Sequence, residues 1–266
     1  MFGRKVVLRA VSACSSAIIK QKKVFVNARF ASSLISELDA SVSTLPMREA
    51  VRYTAGNVKV EAQSMLHYID SQANAFYDYG FVEGDTIALW MAESMEKHVS
   101  LMAAAKLGLQ VVDFDTSIID VATLRDALKL SKCKSIIFDP ITSDCDRLQL
   151  LRKSIPEFFY YDDSDGQPFH SKYYPELKYF IQTGFDIEMG CLNYKHCFLP
   201  DPITNYSNDI ASKLADKTPL YSKIALSADG KSVTQSKVLT HGDILKTNDN
   251  TWEFAKQLVN KQYFEL

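Results

Sequence analysis

Apolar residues fall along this chain in two alternating rhythms. From Val60 to Tyr79, Met65, Leu66, Ile69, Ala73, Phe76 and Tyr77 recur at spacings of three and four. That spacing predicts an amphipathic helix, with Gly80 ending it. Glu83-Gly84-Asp85 then predicts a turn, and Thr86–Met91 (TIALWM) is apolar throughout, the signature of a strand buried on both faces. Ser94 is placed to cap a second helix, with Glu96 in its first turn. That helix runs to Leu107, with Val99, Met102, Ala103 and Lys106 as one face, and Gly108 closes it.

The rhythm continues. Gln110–Phe114 (QVVDF) predicts a strand, Asp120–Leu130 a helix, Lys134–Phe138 (KSIIF) a strand stopped by Pro140, and Asp144–Ser154 a helix. Glu157–Tyr161 predicts a further strand, Tyr161–Pro175 a polar connection, and Lys178–Thr183 a return to strand. Phe185–Pro202 is irregular, and Asn205–Lys217 is weakly helical. Lys223–Leu226 is a strand, and a last helix spans Asp243–Asn260, with Thr240 and Asp243 forming a capping-box-like start. Ahead of all this, Leu34–Met47 reads as a short amphipathic lead-in and Arg48–Thr54 as an edge strand. Strands and helices in strict alternation, with continuously apolar strands, predict an α/β fold: a mostly parallel sheet flanked by helices.

Composition changes the picture at one end. Of the 266 residues 47% are hydrophobic and 23% charged, which fits a globular chain with a core. No apolar run approaches the ~18–20 residues that span a bilayer. The formal net charge of -2 hides an asymmetry. Arg4, Lys5, Arg9, Lys20, Lys22, Lys23 and Arg29 lie within residues 1–33, which contain no Asp or Glu. Interleaved with Ser and apolar residues, they give the profile of a mitochondrial transit peptide, with a cleavage-like site at Ala28–Ser33. Residues 1–33 are therefore expected to address the chain to the matrix, and 34–266 to be the working domain. That body is left with 23 basic against 32 acidic residues, a balance that argues against nucleic acid as a partner.

Candidate chemistry is sparse. The cysteines Cys14, Cys133, Cys145, Cys191 and Cys197 form no CxxC pair. His196-Cys197 near Cys191 lacks a fourth metal ligand at sensible spacing, and Asp162, Asp163 and Asp165 lack the rest of a calcium loop. His67, His98, His170, His196 and His241 have no nucleophile signature beside them. No catalytic residue, metal site or cofactor is expected.

One stretch remains. Ser227–His241 (SADGKSVTQSKVLTH) lies between the Lys223–Leu226 strand and the last helix, where a phosphate loop would lie. Tyr53, the Val60–Tyr79 helix, Tyr79–Asp115, Leu124–Phe138, Pro175–Gly184 and Leu226–Ile244 follow one another in an order that resembles the N-terminal part of the AMP-forming acyl-CoA synthetase (adenylate-forming) superfamily. The resemblance covers roughly residues 48–260. It implies a Ser/Thr/Gly-rich loop with a Pro-Lys-Gly element at this stretch, followed by the Thr-His pair present as Thr240-His241.

In register with Thr240-His241, the loop's glycines fall on Asp229, Ser232 and Ser236, and its Pro-Lys pair on Thr234 and Gln235. Gly230 and Lys231 are out of register. A carboxylate placed 4 Å from a bound phosphate costs ~4 kcal/mol at an effective dielectric of ~20. The resemblance also places the adenine contacts, the magnesium-binding Glu and the lid lysine beyond Leu266. Ser227, Asp229, Gly230, Lys231, Ser232, Gln235, Thr240 and His241 are thus expected to form a degenerate loop.

The expected function is a catalytically inactive accessory subunit of a mitochondrial assembly, a respiratory-chain complex or the ATP synthase being favoured. Its partners would be other protein subunits, and it would lie in the matrix or peripheral to the inner membrane. A half-domain of this kind is expected to expose sheet face and edges to such partners. An acyl- or aryl-adenylating enzyme fragment, or a non-catalytic acyl- or CoA-binding module, are the alternatives.

Overall fold

The computed structural model describes residues 34–54, 57–200 and 205–266. Residues 1–33, expected to be a transit peptide, and Pro202 at the end of the irregular stretch lie outside the described residues.

Strands apolar at successive positions build a core on both sides of one large sheet. Thr86–Trp90, Gln110–Phe114, Ser135–Phe138 and Tyr179–Gln182 form β3, β4, β5 and β6. Ile87, Leu89, Val111, Ile137 and Ile181 point into one core, while Ala88, Trp90, Val112, Ile136, Phe138 and Phe180 point into the other. With β7 (Leu192–Asn193), β8 (Pro219–Leu226) and β10 (Leu239–Thr240) the order across the sheet is β10-β8-β4-β3-β5-β6-β7. The pairs from β8 to β7 are parallel, and β9 (Val233–Gln235) and β10 both run antiparallel to β8. The expected fold class is therefore the observed one.

The helices cover both faces. On one side lie α2 (Ala62–Asp78) and α3 (Met95–Leu107); on the other, α4 (Val121–Ser131) and α5 (Arg147–Ser154). Ser94 caps α3 by accepting from the Lys97 amide at 3.2 Å, and Gly108 closes it at φ 67. A Cβ at Gly108 would also meet Leu214 Cδ2 at 2.7 Å. Every residue from Lys97 to Leu107 is buried, so α3 is enclosed between the sheet and α2 rather than apolar on one face only. Lys106, 1% exposed, is neutralised by Asp70 of α2. The expectation of an exposed sheet face fails here, because each face is already covered.

A second sheet, not foreseen from the sequence, has the order β11-β1-β2. β1 (Glu49–Tyr53) lies where expected. β2 (Val58–Glu61) takes residues assigned to the start of the first helix, and β11 (Phe264–Glu265) returns to pair parallel with β1 through Val51↔Phe264 and Arg52↔Glu265. Two further expectations are corrected. Pro156–Tyr160 is a 3-10 turn, not a strand; Pro156 lacks the N–H that a ladder needs, and only Phe158 of it is buried. The last helix is two, α7 (His241–Ile244) and α8 (Glu253–Val259), parted by Thr247-Asn248-Asp249. Asp249 caps a short 3-10 turn at Asn250–Trp252 by accepting from the Thr251 amide at 3.0 Å. The described residues also include α1 (Leu34–Thr44), which is tied to α8 by Ser41 Oγ donating to Leu258 O at 2.6 Å. The weak helix forms only as α6 (Tyr206–Ala211). Among the described residues no helix is long and apolar enough to cross a membrane.

Candidate functional site

Ser227–His241 is the return half of a β-hairpin. β8 ends at Leu226 and β9 comes back through Leu226↔Val233, Ala225↔Thr234 and Ile224↔Gln235. Val233 is extended there, the conformation a β-branched side chain favours. The turn between them closes through Gly230 N donating to Ser227 O at 2.9 Å, with Gly230 at φ 66, and Ser227 N donating to Ser232 O at 2.9 Å.

Two more of the turn's amides are used internally. Lys231 N donates to Asp229 Oδ1 at 3.0 Å, and Ser232 N to Ser227 Oγ at 3.2 Å. Ser227 Oγ also donates to the Asp229 carboxylate and lies 2.7 Å from Ser232 Oγ. The Ser227 hydroxyl, with the Lys231 and Ser232 amides, holds the Asp229 carboxyl below the usual carboxylate range. Asp229 therefore occupies the donors that a phosphate loop would turn toward an external anion.

The other loop residues disperse. Gln235 Nε2 donates to Ser222 Oγ at 2.9 Å, away from the turn. Thr240 starts α7, its N–H and hydroxyl both donating to Asp243 Oδ2, at 3.1 and 2.9 Å. His241 is fully buried with neither ring nitrogen hydrogen-bonded, and burial pulls its pKa down to about 4 against the pull of Asp216. A neutral, enclosed imidazole of this kind is a packing group.

The structure assembles a different cluster, which sequence reasoning missed. Lys97 Nζ, 4% exposed, donates to Glu93 Oε1 at 2.8 Å and to Asp113 Oδ2 at 3.0 Å. Tyr221 of β8 also donates to Asp113 Oδ2, at 3.0 Å. His98 joins Glu93 Oε2 at 3.1 Å to the Tyr53 hydroxyl at 2.8 Å, and stacks on Phe254 with centroids 4.0 Å apart. Burial works against the Lys97 ammonium, but Asp113 and Glu93 outweigh it and raise its pKa. The signal in the sequence was an Asp inside the apolar strand QVVDF and a Lys inside an otherwise enclosed helix, because buried charges require partners. The cluster borders a cavity of about 250 Å³ that includes Ala92, Asp115 and Lys223. It ties α3 to β1, β4 and β8.

The strand order reverses at β3, whose neighbours are β4 and β5. Open α/β sheets bind ligands at such a switch, outside the carboxyl ends of the strands. Side chains bridge the β3 and β5 ends of this crevice. Asp139, after β5, accepts from Ala92 N at 3.2 Å and from Thr183 Oγ1 at 2.7 Å. Arg147, 2% exposed, donates to Trp90 O at 2.9 Å, lies 3.5 Å from Asp139, and covers the Trp90 ring at 5.0 Å.

The suggested metal groupings stay apart. Cys191 and Cys197 are buried free thiols that burial pushes up to about 12, while His196 is exposed. Asp162 caps the Ser164 amide, and Asp163 accepts from Gly190 N at 3.0 Å. Among the described residues no three His, Cys, Asp or Glu are placed to hold a metal ion.

The fold is that of the N-terminal domain of AMP-forming acyl-CoA ligases. A chain from Rhodopseudomonas palustris described as a long-chain-fatty-acid CoA ligase superposes with a TM-score of 0.66 at 12% identity, covering 88% of this chain and 57% of that one. The N-terminal domain of FACL13 from Mycobacterium tuberculosis gives 0.64 at 13%, over 88% and 56%. A fatty acyl CoA synthetase from Mycobacterium tuberculosis gives 0.62 at 14%, over 88% and 44%. The chain thus spans about half the length of the solved chains it matches. No protein-family model and no curated protein matches the sequence.

Proposed function

We propose that this protein is a non-catalytic domain with the acyl-CoA ligase fold, acting as an accessory subunit of a mitochondrial assembly at the matrix or the matrix face of the inner membrane. A respiratory-chain complex or the ATP synthase is the favoured host. The observation that carries the first half is the Asp229 carboxylate seated on the Ser227 hydroxyl and the Lys231 amide. A nucleotide phosphate would have to displace it and would meet its charge, whereas phosphoryl chemistry needs convergent donors and cations. Lys231 and Lys237, the loop's two lysines, are both out of register with the Pro-Lys position at Thr234-Gln235. The mitochondrial half rests on the basic, acid-free residues 1–33.

Two measurements test it. ATP–pyrophosphate exchange with a panel of fatty and aromatic acids should stay at background, and ATP with magnesium should not raise the melting temperature; exchange above background would overturn inactivity. Blue-native gels of mitochondria with mass spectrometry should place the chain in a high-mass complex, and migration as a free monomer would overturn the subunit role.

A further inference from the structure

A cleft of about 530 Å³ lies beside the switch point, outside the carboxyl ends of β5 and β6. Its rim is apolar and open. Phe185 is 93% exposed and Ile141 76%, and Ile187, two residues along the same loop, is 85% exposed. Large apolar side chains bared together are uncommon on a monomer surface and mark contact sites.

Its walls are acidic. Asp146, Asp186 and Glu188 line it, with Arg152 the cation among them, paired to Glu188 at 3.4 Å. Asp186 is exposed and has no ion pair among the described residues. At the base lies Gln182, 1% exposed. Its Nε2 donates to Asp186 O at 2.6 Å, which fixes the amide orientation and leaves the buried Oε1 without a donor.

The geometry points to this cleft as the docking site for a partner-protein segment that carries Lys or Arg between apolar side chains. Lys and Arg offer donors and no acceptor, which suits an unpaired amide oxygen beside an unpaired carboxylate. The flanking apolar groups of such a segment would cover Phe185, Ile187 and Ile141. Phosphate-bearing partners and anionic lipid surfaces meet the wrong sign of charge here. The inference rests on the reading of the protein as a subunit, and adds the place and chemistry of one contact.

Fluorescence anisotropy with the full chain tests it, using a labelled decapeptide of alternating leucine and arginine. Two counterparts replace its arginines with glutamate, or its leucines with glycine. The leucine–arginine peptide should bind, and both counterparts should bind at least tenfold more weakly. Asp186→Lys and Phe185→Ser change exposed loop residues, so folding should survive, and each should weaken binding at least fivefold. Asp78→Lys, the same charge change at the end of α2, should leave it unchanged. Equal binding of the glutamate peptide would overturn the proposal. So would an equal loss with D78K, or capture of phosphatidylcholine vesicles through Phe185 in place of the peptide. Pyrophosphate exchange alongside intact peptide binding would sink the inactive reading and leave the cleft standing. Absence of peptide binding without exchange would do the reverse.

Discussion

The Asp229 turn and the Asp113 cluster each hold a carboxylate among donors, and they are built in opposite ways. The turn is solvent-exposed, and its bonds link residues within five positions of one another. The cluster is buried, and its bonds run from Asp113 to Lys97 and Tyr221, 16 and 108 positions away. In water a carboxylate needs only local donors to define a turn, so its loss costs little. Under two layers of structure the same group must be matched by charge, because desolving an unpaired ion costs several kcal/mol. The turn therefore shapes a surface, while the cluster holds the fold.

That contrast can be broken from either side. The largest effect is expected from Lys97→Met, which leaves Asp113 buried without its cation. Urea unfolding should show a loss of about 3–5 kcal/mol. Adding Asp113→Asn to it should restore part of that, and strictly additive losses would show that the two do not act as a pair.

His241 comes next, and the sign follows from its depressed folded-state pKa. Neutral His241 is favoured in the fold, so its contribution is intact above pH 6.5. As pH falls the unfolded chain binds the proton first, and stability drops from about pH 6.5 until the folded group also protonates near pH 4. The full drop is about 3 kcal/mol, and His241→Gln should flatten that part of the urea-midpoint profile.

Gly230→Val should cost about 1–2 kcal/mol, because φ 66 is unfavourable for a side chain. It should leave near-UV circular dichroism unchanged, since a Cβ there meets nothing within 4 Å. The smallest effect sharpens the comparison most. Asp229→Gly removes the tethered anion, so millimolar inorganic phosphate should raise the variant's melting temperature by about 1 °C and leave the wild type unmoved. An equal response in both would mean that Asp229 is not what fills the turn.

Much of the fold was legible because the physics is local. TIALWM, QVVDF and KSIIF read as buried strands and are β3, β4 and β5, and Ser94 and Gly108 bound α3 as their chemistry demands. The misses are where local pattern is short or deceptive. Glu157–Tyr161 has strand-forming aromatics but follows Pro156 and buries only Phe158. β7, β10 and β11 are two residues each, too short to carry a period. At the candidate site, the departures at Asp229, Ser232 and Gln235 could be counted from sequence, because they follow one another along the chain. Two things could not: that the Asp229 carboxylate turns back onto its own loop, and that Lys97, Asp113, His98 and Tyr53 meet. The first depends on hairpin closure, the second on three elements packing together.

The small β11-β1-β2 sheet has a mechanical consequence. β1 and β11 run parallel, and beyond their register Thr54 N donates to Leu266 O at 2.7 Å and Leu266 N to Arg52 O at 2.9 Å. A load applied across Leu34 and Leu266 pulls these strands in opposite directions along their length. Their hydrogen bonds then share the tension and must rupture together, instead of opening one after another like a zipper. The β1–β11 seam is thus a shear clamp, loaded once α1 has been pulled from α8.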